Sequence, residues 1–203
     1  MVGEVQAALD FVHCAGADKS MLKECQDGSD WAGAYSPLHT PPLDRKRVFL
    51  LGYSLGAIVG LHAAAMLAGV AGVAAFGGWT PFRDTVGDGL TGGNRYLFET
   101  HALIPKLGLF QDDERAVPYD YDELIAAIAP RPVLLHAPKL NRFADPGAVA
   151  TAASAAGKAW GGGSSSAFMF ASPSNVSAFN DAEIAAALLW VESFVVGGPH
   201  PSK

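Results

Sequence analysis

The stretch Arg47–Leu67, RVFLLGYSLGAIVGLHAAAML, changes character once, at its middle, and that change constrains the fold more than any other feature. Arg47 to Leu51 is a short β-prone run with charges before it and Gly52 after it, and reads as a buried strand. Ala57 to Leu67 reads as a helix. Only Gly-Tyr-Ser-Leu-Gly separates the two. The chain must therefore pass from strand to helix through a tight turn centred on Ser54.

The rest of the chain repeats this alternation without repeating the sequence. Glu4, Val5, Ala8, Leu9 and Val12 follow helical spacing, so residues 2–13 are predicted as an amphipathic helix. Strands are predicted at 47–51, 70–76, 132–137 and 167–171. Further helices are predicted at 121–128, 148–160 and 181–195, with a short one around 96–101. Pro130 and Pro132 stop the helix that precedes the third strand. Helices between strands imply parallel pairing, and near-continuous apolar strands imply a sheet covered on both faces. The expected fold class is α/β, a parallel doubly wound sheet with helices on both faces. Residues 1–196 read as one domain and 197–203 as a tail. Within the domain lie a long Gly/Ser/Pro-rich loop at 15–46, a lid-like segment at 77–118 rich in glycine and aromatics, and a GGGSSS hinge at 161–166.

Composition narrows the function. Of 203 residues, 50% are hydrophobic and 17% charged, which excludes a disordered chain. Glycine (23) and proline (13) are too many for a coiled coil. A net charge of −6 without any basic stripe argues against nucleic acid as a partner. No membrane span is expected, because the apolar region Ala57–Phe76 is broken by Gly60, Gly69 and Gly72. The first residues carry acids and no apolar run, so no signal peptide is read; the cytoplasm is the default compartment and targeting stays open. Cys14 and Cys25 are expected as free thiols, with pairing as the alternative.

Chemistry concentrates on Ser54. A serine on a strained strand-to-helix turn, flanked by glycines where side chains have no room, is held with its hydroxyl above the sheet. The helix that follows offers free N–H groups to a developing oxyanion, that of Leu55 among them. The competing reading is an ordinary glycine-rich turn with Ser54 as a helix cap.

On these residues the chain resembles the α/β-hydrolase superfamily, in particular its dienelactone-hydrolase-like and acetyl-xylan-esterase-like members. KRVFLLGYSLGAIVGLHAAAM is similar to the fifth strand, nucleophile elbow and following helix of that family. VAGVAAFGGWTPFR is similar to the sixth strand and the loop after it, and IAPRPVLLHAPKLNRFAD to the seventh strand. The similarity covers residues 2–195 and maps onto the C-terminal part of the fold, which implies that the first four strands would precede Met1. It also implies an open sheet edge, to be covered by a missing segment or a partner. The activity implied is a serine esterase acting on small-molecule or carbohydrate esters without a cofactor. The alternative is a degenerate or truncated relative retained for binding.

The resemblance places an acid after the seventh strand and a histidine after the eighth. Asn141 stands at the acid position, and SPSNVSAFND, which follows the last predicted strand, holds no histidine. Asp145 is the candidate acid, against a role as cap of the next helix. His101, in the lid-like segment, is the candidate displaced base, against a packing role. Arg83 and Trp79 are candidate substrate contacts, although Arg83 suits pairing with Asp84, Asp88 or Glu99 equally well. Glucuronoyl esterases, a neighbouring family, carry Arg after the nucleophile; Leu55 holds that place here, which argues against them. No histidine pair has metal-ligand spacing on a helix, so no metal is expected. With acid, base and one oxyanion donor unaccounted for, weak or no turnover is expected of this chain alone.

Overall fold

The structure is a computed structural model, and it describes residues 2–15, 44, 46–84, 92–102, 104–161 and 165–195. The tail at 197–203 and nearly all of the loop expected at 15–46 lie outside the described residues, as does the centre of the 161–166 hinge. The pairing of Cys14 with Cys25 falls there too.

In chain order the elements are α1 (Val2–Ala15), β1 (Phe49–Tyr53), α2 (Leu55–Met66), β2 (Gly72–Phe76), α3 (Gly93–His101), α4 (Tyr121–Ala126), β3 (Val133–His136), α5 (Pro146–Gly157), β4 (Phe168–Ala171) and α6 (Asp181–Val195). Two 3-10 turns, Pro105–Phe110 and Glu114–Ala116, lie between α3 and α4. The four strands form one parallel sheet in the order β1-β2-β3-β4. The first strand extends two residues past Leu51, because Gly52 and Tyr53 still pair with Ala75 and Phe76. Among the described strands β1 pairs only with β2, and its Leu51 side chain is exposed.

Alternation along each strand builds two cores. Val73, Ala75, Val133 and Leu135 face the larger one, shared with Leu61 of α2, Ile125 of α4 and Val149 of α5. Ala74, Phe76 and Leu134 face the smaller one, where α6 contributes Ala187 and Trp190. Both faces of the sheet are thus covered, which is why β2 has no exposed residue.

Two polar side chains, Arg131 half-buried and Asp120 buried, lock the connections. Arg131 donates to the carbonyls of Ala64, Leu67 and Val70, and so satisfies the open end of α2 where the chain turns into β2. Asp120 accepts from Tyr121 N–H at 2.7 Å as the cap of α4, and from Phe82 and Arg83 N–H at 2.7 and 3.0 Å. Glu123 Oε2 accepts in turn from Asp120 N–H at 2.9 Å, which completes a capping box. The segment leaving β2 is pinned to α4 by that one carboxylate.

Candidate active site

Ser54 sits between the last residue of β1 and the first of α2, with φ 54° and ψ −118°. A left-handed φ on a non-glycine residue costs of order 1–3 kcal/mol and persists only where the surroundings enforce it. Here they do. Ser54 N–H donates to Phe76 O at 2.9 Å, continuing the ladder to β2, while Ser54 O accepts from Ala57 and Ile58 N–H as the helix begins. The side chain is exposed above the sheet edge. The N–H groups of Leu55 and Gly56, which open α2 ahead of these bonds, have no carbonyl one turn earlier to bond to.

The glycines divide unequally. A Cβ on Gly52 would lie 2.2 Å from Gly56 O, so no side chain fits there. A Cβ on Gly56 meets nothing within 4 Å, which corrects the expectation that both flanks are closed. The second closed position is instead Gly78, after β2, where φ is +78° and a Cβ would lie 2.2 Å from Ser54 O. Sequence reasoning missed Gly78; the Gly77-Gly78 pair signals a turn, but not that the turn rests on the backbone of Ser54.

Ser54 opens into a cavity of about 460 Å³. Its wall holds Ile58, Phe82, Tyr96, Leu97, Leu140 and Phe143, and His101 at the end of α3. Asn141, Val176 and Ser177 also line it. The loops after β3 and β4 are tied together over the site, with Lys139 N–H on Pro173 O at 2.9 Å and Leu140 N–H on Asn175 O at 3.1 Å. Asn141 Oδ1 accepts from Phe143 N–H at 3.1 Å, so this amide shapes its own loop.

The other candidates lie elsewhere. Asp145 accepts from Ala148 N–H at 2.6 Å and caps α5, and is not part of the cavity wall. Its charge acts on Asp84, whose carboxyl is pushed above the usual range first by burial, then by Asp145 and Asp120. Trp79 is 1% exposed and packs in the larger core behind Tyr121, which lines the cavity, but does not itself reach the wall. Arg83 donates through Nε and Nη2 to Val117 O at 3.0 and 2.8 Å, with Glu123 3.7 Å away; Asp84 and Glu99 do not pair with it, and Asp88 lies outside the described residues. Of the histidines, His62 is buried and bonded to Ile58 O and the Tyr119 hydroxyl. Burial holds its pKa below the usual value, partly offset by the bond to Ile58. His136 ends β3 against the Phe76 ring, and burial lowers it too. Among the described residues no group of three His, Cys, Asp or Glu is placed to hold a metal, and no helix is long and apolar enough to cross a membrane.

Residues 31–104 match the model of the phospholipase/carboxylesterase family. Solved structures similar to the chain include a promiscuous family 15 carbohydrate esterase from a marine bacterial metagenome, with 19% identity and a TM-score of 0.65. That match covers 75% of this chain and 43% of the other. A glucuronoyl esterase from Caldicellulosiruptor kristjansonii matches with 22% identity and a TM-score of 0.60, over 81% of this chain and 47% of its own. A glucuronoyl esterase from Solibacter usitatus matches with 15% identity and a TM-score of 0.62, over 95% and 47%. The chain thus spans less than half the length of these structures. No curated protein matches it.

Proposed function

We propose that this chain, which carries the α/β-hydrolase fold with a coverage that fits its C-terminal part, is a serine hydrolase of carboxylic esters with Ser54 as nucleophile. The observation that supports this most is the left-handed φ of 54° at Ser54, held on a strand-to-helix turn that opens into a cavity. Strain of this kind lifts a hydroxyl clear of its neighbours and aims it at a bound carbonyl. In the proposed reaction Ser54 Oγ attacks the acyl carbon and its proton passes to a base. Leu55 N–H donates to the oxyanion, and the alkoxide leaves with that proton. His101 is the base this reading favours, because it shares the cavity wall with Ser54. The substrate class is a small-molecule or carbohydrate ester.

A second reading, a fold retained for binding without turnover, has its own support. Asn141 and Ser177 line the cavity after β3 and β4, where the resemblance calls for an acid and a histidine. General base catalysis contributes about 10²–10⁴-fold, so its loss leaves a slow enzyme. One experiment separates the two. The full chain is treated with a fluorophosphonate probe and assayed on a short-chain aryl ester, beside Ser54→Ala and His101→Ala. Labelling that vanishes in Ser54→Ala supports the nucleophile. Turnover lost in both variants supports His101 as base; no labelling and no turnover sinks the hydrolase reading.

A further inference from the structure

We propose that Arg142 makes the cavity selective for anionic ligands, namely esters or acid products that carry a carboxylate beside a flat apolar body. This rests on the cavity being the substrate site of the hydrolase reading above. Arg142 is the only Lys, Arg, Asp or Glu on the described wall. Among the described residues no carboxylate pairs with it, whereas Arg47 is paired to Asp44, and Arg83 and Arg131 are spent on carbonyls.

Its guanidinium carbon lies 4.3 Å from the centroid of the Phe143 ring. Phe143 stacks in turn on Tyr96 at 5.3 Å, with 23° between the rings. A guanidinium laid on an aromatic face is weakly hydrated there, yet keeps its N–H edge free. That edge matches the two oxygens of a carboxylate, which accept two parallel hydrogen bonds. Next to it, Leu97, Leu140 and Val176 offer an apolar wall to the rest of the ligand. The chain as a whole has a net charge of −6 and repels anions in general. A cation that no described carboxylate compensates, in a concave and partly apolar site, reverses that field locally.

The test uses ligands that cannot be hydrolysed. Binding of naphthalene-2-carboxylate and of naphthalene-2-carboxamide is measured by calorimetry on the full chain, in the wild type, Ser54→Ala, Arg142→Gln and Arg142→Lys. The acid is expected to bind roughly tenfold tighter than the amide, as one charge-assisted pair allows. The preference shrinks with added salt, persists in Ser54→Ala, weakens in Arg142→Lys and disappears in Arg142→Gln. Equal binding of the two probes, binding of neither, or a preference that survives Arg142→Gln would overturn the proposal. The preference is read without turnover, so a failure of Ser54 to label removes the hydrolase reading and leaves this result standing by itself.

Discussion

A single Cβ decides whether Ser54 can hold its conformation. Gly78→Ala places a methyl 2.2 Å from Ser54 O at a φ of +78°. Backbone on both sides of the clash cannot yield cheaply, so the variant is expected to lose roughly 2–4 kcal/mol of stability in urea denaturation. It is also expected to lose fluorophosphonate labelling, since the elbow must shift. Gly56→Ala is the contrasting case. Nothing lies within 4 Å of the new methyl and the position is helical, so stability is expected to hold or rise by up to about 1 kcal/mol. The two glycines beside Ser54 would then differ in sign, and equal losses in Gly56→Ala and Gly78→Ala would contradict the account. The pattern G-x-S-x-G was legible in the sequence because it is local. The constraint from Gly78 was not, because it is a contact between two turns that only the pairing of β1 with β2 brings together.

Among the elements, the segment after β2 depends on its anchor. Asp120 is 5% exposed and accepts from three backbone N–H groups, two of them on Phe82 and Arg83. Asp120→Ala leaves those donors buried and unpaired and strips the cap from α4, a loss of about 2–4 kcal/mol. Asp120→Asn keeps one acceptor oxygen and is expected to recover part of it. Thermal melts of the three proteins check the order. The sequence predicted a helix from Tyr121, and the cap at Asp120 is a finding of the structure. It did not show that the same carboxylate holds Phe82 and Arg83. The Arg83 guanidinium accordingly turns to Val117 O, away from the substrate role expected of it.

Over the whole molecule, the buried His62 and the half-buried His136 couple stability to pH. Burial holds the pKa of His62 and His136 below the usual 6.5. Below pH 6.5 the unfolded chain takes up protons that the folded chain refuses, so folding loses ground. The stabilisation is complete above 6.5, declines as pH falls from there through the lower folded values, and levels off beneath them. Urea midpoints measured from pH 7.5 down to 5 are expected to fall, and to fall less in His62→Gln. An equally steep profile in that variant would exclude His62 from the effect.

The sequence alone determined the alternation of helix and strand, the parallel sheet and the place of Ser54. These follow from apolar period, turn residues and caps, each of which acts within a few residues. It did not determine which side chains meet. Asp145 lies close in sequence to Asn141, yet caps a helix outside the cavity wall, whereas His101, far along the chain from Ser54, shares that wall with it. Only the tertiary structure decided those neighbours. Sheet register and the tie between the loops after β3 and β4 set which groups converge, and both are contacts between distant segments that no local pattern encodes.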